Sequence, residues 1–530
     1  MQASPGQSIR WSARRLGWPA AIVIALAACA DDEPTAPGSG PSETAPTPSF
    51  ARIATSTRAR QLEPFKDRLS GSAYRLFFGH KVRSAGLGFR LPLGRGRGLA
   101  PRDLADVLVN SRSGPGLVQS ETTIADHGGT IVVGFNDADG FYPGHFEEGV
   151  SGWSISPDRG RTFIDGGGLP RIPTPGFFHS GDPGLAVSND GTFFYVDLCF
   201  DFGTDPVLSG VCVTAGRRQG RTIDWHTPVY ASSSLPDFLD KCFIATDRQG
   251  RDVYVSYTRF QIVDGQVVAV PIEVVSSHDG GQSFGPPVVA GPFIGLGQQG
   301  SEPAVGPNGE LYVVWVRYPS FTQGEVVVAK STDRGRSFQA PVRAATFVPV
   351  NTEVPGYNRG FINDFPRIDV ARSGPYKGEV YVSFHSAAAS LADAYLTHSP
   401  DGFSWSEPVR VNDDLTDYQF WPAVAVEPGG NVDVIWYDRR DDPGTAITNT
   451  FWSQSTDNGA TFRPNVRVSD VGSDWAAAAA DATPNFGDYV DVAAGGNRAY
   501  GTWGDGRRGD PDVFFSELRG IGKAADLAQR

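Results

Sequence analysis

The apolar residues of this chain fall in short runs that recur at a near-constant interval. One kind of run opens on an acidic or aromatic residue or on glycine: Glu121-Thr-Thr-Ile-Ala, Asp182-Pro-Gly-Leu-Ala-Val, Asp240-Lys-Cys-Phe-Ile-Ala, Glu302-Pro-Ala-Val, Phe365-Pro-Arg-Ile-Asp-Val, Trp421-Pro-Ala-Val-Ala-Val and Gly487-Asp-Tyr-Val-Asp-Val. The steps between them are 61, 58, 62, 63, 56 and 66 residues. After each comes a Gly-containing turn and a second run: Thr130–Phe135, Phe193–Leu198, Asp252–Tyr257, Leu311–Trp315, Glu379–Phe384, Asn431–Trp436 and Arg498–Trp503. All of these end on a large apolar residue. A fixed period of this length signals one supersecondary unit repeated along the chain. Short apolar runs bounded by turn residues predict that the unit is made of strands.

Third and fourth strands are predicted to flank a further motif, Ser/Thr-x-Asp-x-Gly-x-Ser/Thr-aromatic. It occurs as Ser156-Pro-Asp158-Arg-Gly160-Arg-Thr162-Phe163, at Ser277–Phe284 around Asp279 and Gly281, at Ser331–Phe338 around Asp333 and Gly335, and at Ser455–Phe462 around Asp457 and Gly459. A fifth copy, Ser399-Pro-Asp401-Gly-Phe-Ser404-Trp405, is one residue short. The second unit carries only a decayed version, Thr214 to Trp225, without the Asp. The motif has the chemistry of a hairpin turn: Asp accepts turn N–H groups, Gly supplies a positive φ, and the aromatic anchors the turn beneath the sheet. Composition agrees, since 64 Gly and 40 Pro beside 33 Phe, 16 Tyr and 11 Trp suit turns and pleated surfaces and exclude an all-helical bundle.

These motifs are Asp-boxes, and their recurrence after the third strand of four-stranded units resembles the sialidase-like β-propellers. The resemblance covers residues 105–518 and implies an all-β fold, a β-propeller of four-stranded blades. Seven units are counted, so seven blades are expected, with six, the number in sialidases, as the alternative. The seventh unit, Asn485 to Leu518, has three strands and no box, which leaves a sheet edge open. Asp106-Val-Leu-Val-Asn110 resembles the fourth strands Pro408-Val-Arg-Val-Asn412 and Asn465-Val-Arg-Val-Ser469, and it is predicted to complete that blade and close the ring.

In such a propeller the first strands line the central channel, and the substrate face carries their starts together with the exits of the second strands. The starts hold Glu121, Asp182, Asp240, Lys241, Glu302, Asp364, Trp421, Asp488 and Tyr489; the exits hold Arg259, Arg317, Tyr437, Asp438, Arg440, Asp505 and Arg508 among others. The resemblance implies a sugar carboxylate bound by three arginines, a tyrosine nucleophile assisted by a glutamate, and an aspartate acid/base. A neutral tyrosine suits attack beside an anionic sugar, which would repel a carboxylate. By position in the repeat, Tyr489 or Tyr437 would attack, Glu302 or Glu121 would assist, and Asp182 or Asp240 would exchange the proton. Arg259, Arg317, Arg440 and Arg508, with Trp421, Asp438 and Asp505, would hold the substrate. Sialidases carry Arg-Ile-Pro before their first box; here Arg171-Ile172-Pro173 follows it.

The formal net charge is −13, which opposes nucleic-acid binding by the whole molecule. It is unevenly spread: between Ala51 and Asp103 there are 12 Lys/Arg against three acids, an excess of 12 − 3 = +9. That basic extension, 51–104, is expected to rest on anionic lipid, on an acidic surface of the same protein, or in solvent. Before it, Arg14-Arg15, an apolar run from Leu16 and Leu26-Ala-Ala-Cys29 resemble a bacterial lipoprotein signal, which implies cleavage after residue 28 and lipidation of Cys29. Residues 29–50, rich in Pro, Ser and Thr, read as a tether, and 519–530 as a tail. An exported protein held in the cell envelope follows, at the outer membrane or cell surface.

Cys199 and Cys212 bracket one hairpin and are placed to pair, with Cys242 left free; a 199–242 pair or an odd free thiol is the alternative. No His/Cys spacing matches a zinc site, and no cofactor is implied. The acids of Tyr437-Asp-Arg-Arg-Asp-Asp442 offer oxygen ligands to Ca²⁺, although Arg439 and Arg440 can neutralise them instead. The function expected from sequence is a lipid-anchored, sialidase-like exo-glycosidase acting on glycans or glycoconjugates. The alternative is a non-catalytic propeller that binds glycans or proteins.

Overall fold

The structure is a computed structural model that describes residues 57–63, 69–70, 77, 106–111, 117–141, 149–480 and 484–518. The expectations for residues 1–28, 29–50 and 519–530, including lipidation of Cys29, lie outside the described residues, as does most of 51–104.

Seven antiparallel sheets form seven blades. The first strands, from blade 1 to blade 7, are Gln119–His127, Gly184–Val187 (preceded by Phe177–His179), Phe238–Thr246, Gly297–Val305, Arg367–Val370, Gln419–Val426 and Asp491–Gly495. Each packs against the first strands before and after it, and that of blade 7 packs against that of blade 1, so the ring closes. A propeller with seven blades is therefore established, and the six-bladed alternative is set aside.

The second strands explain the unbroken apolar runs. Leu311–Ser320 is buried from Leu311 through Val316, and Ile131, Val132 and Val133 are fully buried side by side. A middle strand of a blade is covered on both faces by neighbouring blades, so both sets of its alternating side chains are apolar.

The ring is sealed by Val107–Leu108, which pairs with Asp512–Leu518 as the outermost strand of blade 7, placing Val107 opposite Phe515 and Leu108 opposite Phe514. Asn110 extends the seal: its side chain accepts from the Val513 N–H at 2.7 Å and donates to Asp512 at 3.1 Å. The strand predicted over Asp106–Asn110 is thus present in its central residues.

The Ser-x-Asp turn motifs fasten blades 1, 3, 4, 5 and 6 to the blade before. In the first, Asp158 accepts from the Thr162 N–H (3.0 Å) and hydroxyl (2.7 Å), while Ser156 donates to Asp158 and accepts the Gly160 N–H at 2.7 Å. The boxes at Asp279, Asp333 and Asp457 repeat these bonds, and the short box at Asp401 keeps them with Gly402 in place of the later glycine. Two successive left-handed residues make the turn, such as Arg159 (φ 65°) and Gly160 (φ 79°), one more than the motif alone suggests. Gly160 needs its small size as well: a Cβ there would lie 2.0 Å from Phe515 of blade 7. Arg334, in the box of blade 4, forms an ion pair with Asp252 of blade 3.

Blade 2 lacks a box. There Cys199 and Cys212 form a disulfide between the second and third strands, and Cys242 is free and buried.

Candidate functional site

The first strands do not run straight into the channel. In blades 1, 3, 4 and 6 the pairing with the second strand slips at Ser120–Thr123, Asp240–Phe243, Gln299–Glu302 and Phe420–Ala423. At these bulges one residue per blade takes a positive φ: Glu121 (56°), Lys241 (49°), Gly300 (71°) and Trp421 (49°), with Asp182 (58°) in blade 2 and Gly487 (68°) in blade 7. Glycine serves in blades 4 and 7, as conformational preference dictates. Elsewhere two acids, a lysine and a tryptophan hold the strained conformation, and all four side chains are buried around the channel.

An ion-pair chain crosses the channel. Arg367 donates to Glu302 (3.0 Å), to Asp491 (2.7 Å) and to the Val490 carbonyl (2.7 Å), and its guanidinium carbon lies 4.7 Å from the centre of the Phe243 ring. Burial raises the Glu302 carboxyl above its ordinary range, and Arg367 pulls against that shift. Lys241 Nζ lies 3.7 Å from the centre of Phe243 and 3.8 Å from that of Tyr489, with no hydrogen-bond partner among the described residues. Beside it Phe365, Arg367, Trp421, Pro422, Asp488, Tyr489 and Val490 close around a gap with no room for a water molecule.

Asp240 sits at the mouth of this channel, fully buried. It accepts from the Gln299 side chain at 2.8 Å and from both the N–H and hydroxyl of Ser70. Burial and the neighbouring Asp182 push its carboxyl up to about 7. Arg359, from the connection between blades 4 and 5, bonds Asp488 at 3.2 Å. Tyr357 also donates to Asp488, at 3.0 Å, and stacks edge-on against Trp421.

Of the residues singled out in the sequence, the structure gathers Tyr489, Glu302, Asp182, Asp240 and Trp421 around one channel. Tyr489 is buried and its hydroxyl donates to the Pro183 carbonyl at 2.9 Å. Burial raises its phenol well above the ordinary tyrosine range. The glutamate assigned to assist it, Glu302, is held by Arg367 instead. Tyr437 likewise donates to a carbonyl, that of Gly504, at 2.7 Å.

The four arginines do not converge. Arg259 pairs with Asp237 and Glu273, Arg317 with Glu325, and Arg508 lies 3.8 Å from Asp512. Arg440 belongs to a clasp that occurs twice. In blade 6, Trp436 donates to Asp438, which also binds Arg440 at 2.6 Å; Arg440 reaches on to Asp413 and covers the Phe451 ring at 4.5 Å. In blade 7 the places of Trp436, Asp438, Arg440 and Phe451 are taken by Trp503, Asp505, Arg507 and Phe514, and Arg507 reaches on to Asp106 of the closing strand. Asp438 and Asp505 are therefore partners of arginines within their own blades. The counterpart of Arg440 is Arg507, not Arg508.

The acidic loop at Asp438–Asp442 is similarly engaged. Asp441 pairs with Arg467, while Arg439 turns inward, its guanidinium 5.2 Å from the centre of Trp475, and burial pushes it down to about 10. Among the described residues no group of three His, Cys, Asp or Glu side chains is arranged to hold a metal, and no helix is long and apolar enough to cross a membrane.

Sequence reasoning missed Arg359, Arg367 and Asp491. Arg367 and Asp491 stand inside quoted first-strand runs, where their polarity at a buried position was the available signal. Arg359 lies in an irregular connection that no strand repeat registers.

Fold and site together define a seven-bladed β-propeller with recurrent Ser-x-Asp turns and a charged, aromatic channel mouth. No protein-family model and no curated protein matches the chain. Among solved structures it is similar to a protein of unknown function from Dyadobacter fermentans (14% identity, 66% of this chain and 96% of that one, TM-score 0.42). It is also similar to an α-L-arabinanase of Penicillium chrysogenum (12%, 79% and 99%, TM-score 0.43) and to an ulvan lyase (11%, 80% and 98%, TM-score 0.46). Likeness at this level assigns no residue of the site.

Proposed function

We propose that the protein is a glycan-active propeller, an exo-acting glycosidase of the sialidase-like kind, whose substrate enters at the mouth formed by Asp240, Lys241, Arg359, Trp421 and Asp488. The observation that carries this reading is that four non-glycine residues at the starts of first strands, Glu121, Asp182, Lys241 and Trp421, hold a positive φ outside any turn motif. Each such residue costs about 1–3 kcal/mol, and strain of this kind collects where a side chain must be presented to a ligand. The ring combines an aromatic platform, cations for an acidic sugar and a carboxyl near neutrality, which are the parts a glycan site needs. Asp240, pushed up to about 7, is the acid/base of this scheme. Trp421 stacks on the sugar, and Arg359 and Lys241 take its anionic group.

A non-catalytic glycan-binding role is favoured by one observation: the Tyr489 proton is given to a backbone carbonyl rather than to a carboxylate. The deciding experiment is turnover of a fluorogenic sialoside and a panel of other glycosides by soluble protein starting near Ala51, beside Asp240→Asn and Tyr489→Phe. Turnover lost in Asp240→Asn, with the fold kept, supports the glycosidase. No turnover by folded protein, nor by the same protein carrying Ser70→Asp and Phe77→Ala, with glycans retained on an array, supports the binding role. Export and anchoring through Cys29 belong to the same proposal and predict incorporation of a palmitate analogue that Cys29→Ala abolishes.

A further inference from the structure

The mouth of the channel already has an occupant. Ser70 lies 170 positions from Asp240 and gives it two hydrogen bonds, from its N–H at 2.8 Å and its hydroxyl at 2.5 Å. The carbonyl of its neighbour Leu69 accepts from Arg359. Leu69 and Ser70 thus bridge blade 3 and the connection between blades 4 and 5, whose Arg359 also holds Asp488 of blade 7. Both residues are buried. Apolar anchors flank them: Leu62 and Phe77 are buried in the core of blades 2 and 3, and the Phe77 ring meets Phe238 at 5.4 Å and Phe200 at 6.0 Å. The helix Thr57–Leu62 lies against the strand Gln266–Ala269 of blade 3.

None of these contacts is needed to close the ring, which Val107–Leu108 accomplishes some thirty residues later. The bonds at the mouth also have the pattern of a ligand. A hydroxyl and an N–H are offered to a buried carboxyl, and a carbonyl oxygen is offered to a cation.

We infer that Leu69–Ser70 is a tethered peptide ligand of the channel mouth, anchored by Leu62 and Phe77, and that it excludes glycan while docked. The docking stands on the contacts above; the exclusion rests on the mouth being a glycan site. Release exposes Asp240 and Arg359 together, because the two adjacent residues of the ligand leave as a unit. The Asp240 carboxyl then faces the channel mouth in place of a serine.

The test uses the full mature chain and its Ser70→Asp/Phe77→Ala variant, which sets a carboxylate against Asp240 and removes one anchor. Hydrogen exchange is expected to show the Ser70 region protected about 100-fold in the parent and exchanging freely in the variant, with Leu311–Ser331 equally protected in both. A synthetic peptide of residues 57–77 is expected to bind the variant and not the parent. Glycan retained on an array is expected to rise about 10-fold in the variant. Free exchange at Ser70 in the parent overturns the inference, as does loss of protection throughout the ring of the variant, which would make these residues part of the cooperative core. Equal peptide binding by both proteins overturns it also. Equal glycan binding by both overturns the exclusion. Peptide binding by the variant with no glycan bound by either protein upholds the docking and removes the glycan reading instead.

Discussion

Asp106 and Arg507 are separated by 401 positions and joined by an ion pair of 2.8 Å, with both side chains buried. The acid comes from the strand that closes the ring and the arginine from blade 7. In blade 6 the residue at the head of the outer strand is Asn465, which accepts from Arg440 at 2.9 Å, and the acid that Arg440 also meets, Asp413, comes from the end of blade 5. The closing strand thus brings with it the arginine's partner that blade 6 takes from its own outer strand. Burial, outweighing Arg507, raises the Asp106 carboxyl to about 6.

Asp106→Ala leaves Arg507 with one carboxylate fewer in a dry site, and is expected to lower stability by about 3 kcal/mol. Asp413→Ala is expected to cost less than about 1 kcal/mol, because Asp413 is half exposed. Urea denaturation of the two variants checks the contrast. In the same assay, deletion through Ser113 is expected to abolish cooperative unfolding, and deletion through Phe50 to leave it.

The Ser-x-Asp fasteners predict a sharp dependence on one glycine. Gly160→Ala combines a left-handed φ with a Cβ 2.0 Å from Phe515, and a loss of about 2–4 kcal/mol is expected. Gly220→Ala, also at positive φ but with open space around its Cβ, is expected to lose about 1 kcal/mol. Equal losses in thermal unfolding would deny the boxes their role between blades.

Stability is expected to fall as pH rises from about 4 to 8. Asp433 is fully buried, and burial together with Glu427 pushes its carboxyl up to about 8, against about 3.9 in an unfolded chain. Folding therefore takes up a proton in that window, and each pH unit removes about 1.4 kcal/mol for a group so shifted. Asp433→Asn keeps acceptors for Trp452 and Gln454 and is expected to flatten the decline. Melting temperatures measured at pH 5 and pH 8 decide it.

Lys241→Met keeps an unbranched chain between Phe243 and Tyr489 while removing a buried ammonium without a hydrogen-bond partner. Binding of acidic glycans is expected to be lost while stability changes by less than about 2 kcal/mol, because the desolvation cost that is removed is set against the lost attraction to Asp240. Thermal unfolding and a glycan array read the two effects separately. A stability loss with glycan binding kept would show that the lysine serves the core.

The period, the blade count and the closing strand could be read from the chain because each depends on neighbours in sequence: alternating runs, turn residues and a box of fixed spacing. The candidate site was legible only where it coincided with the start of a first strand. Tyr489, Glu302, Asp182 and Asp240 were found that way, since the repeat places every such start at the channel. The arginines were chosen by the same rule applied to second-strand exits, where it fails. Those exits lie farther from the axis, and each arginine there has a nearer acid, Glu325 for Arg317 and Asp438 for Arg440.

The sequence by itself determined a ring of seven β-blades, because strand and turn formation are local and the repeat copies them. Tertiary structure alone decided that Arg367 binds Glu302 and Asp491, that Cys199 pairs with Cys212, and that Ser70 reaches Asp240. In each case the partners lie in different repeats, or had competing partners at similar spacing. Which pair forms depends on how the blades meet around the axis, and local preference carries no record of that.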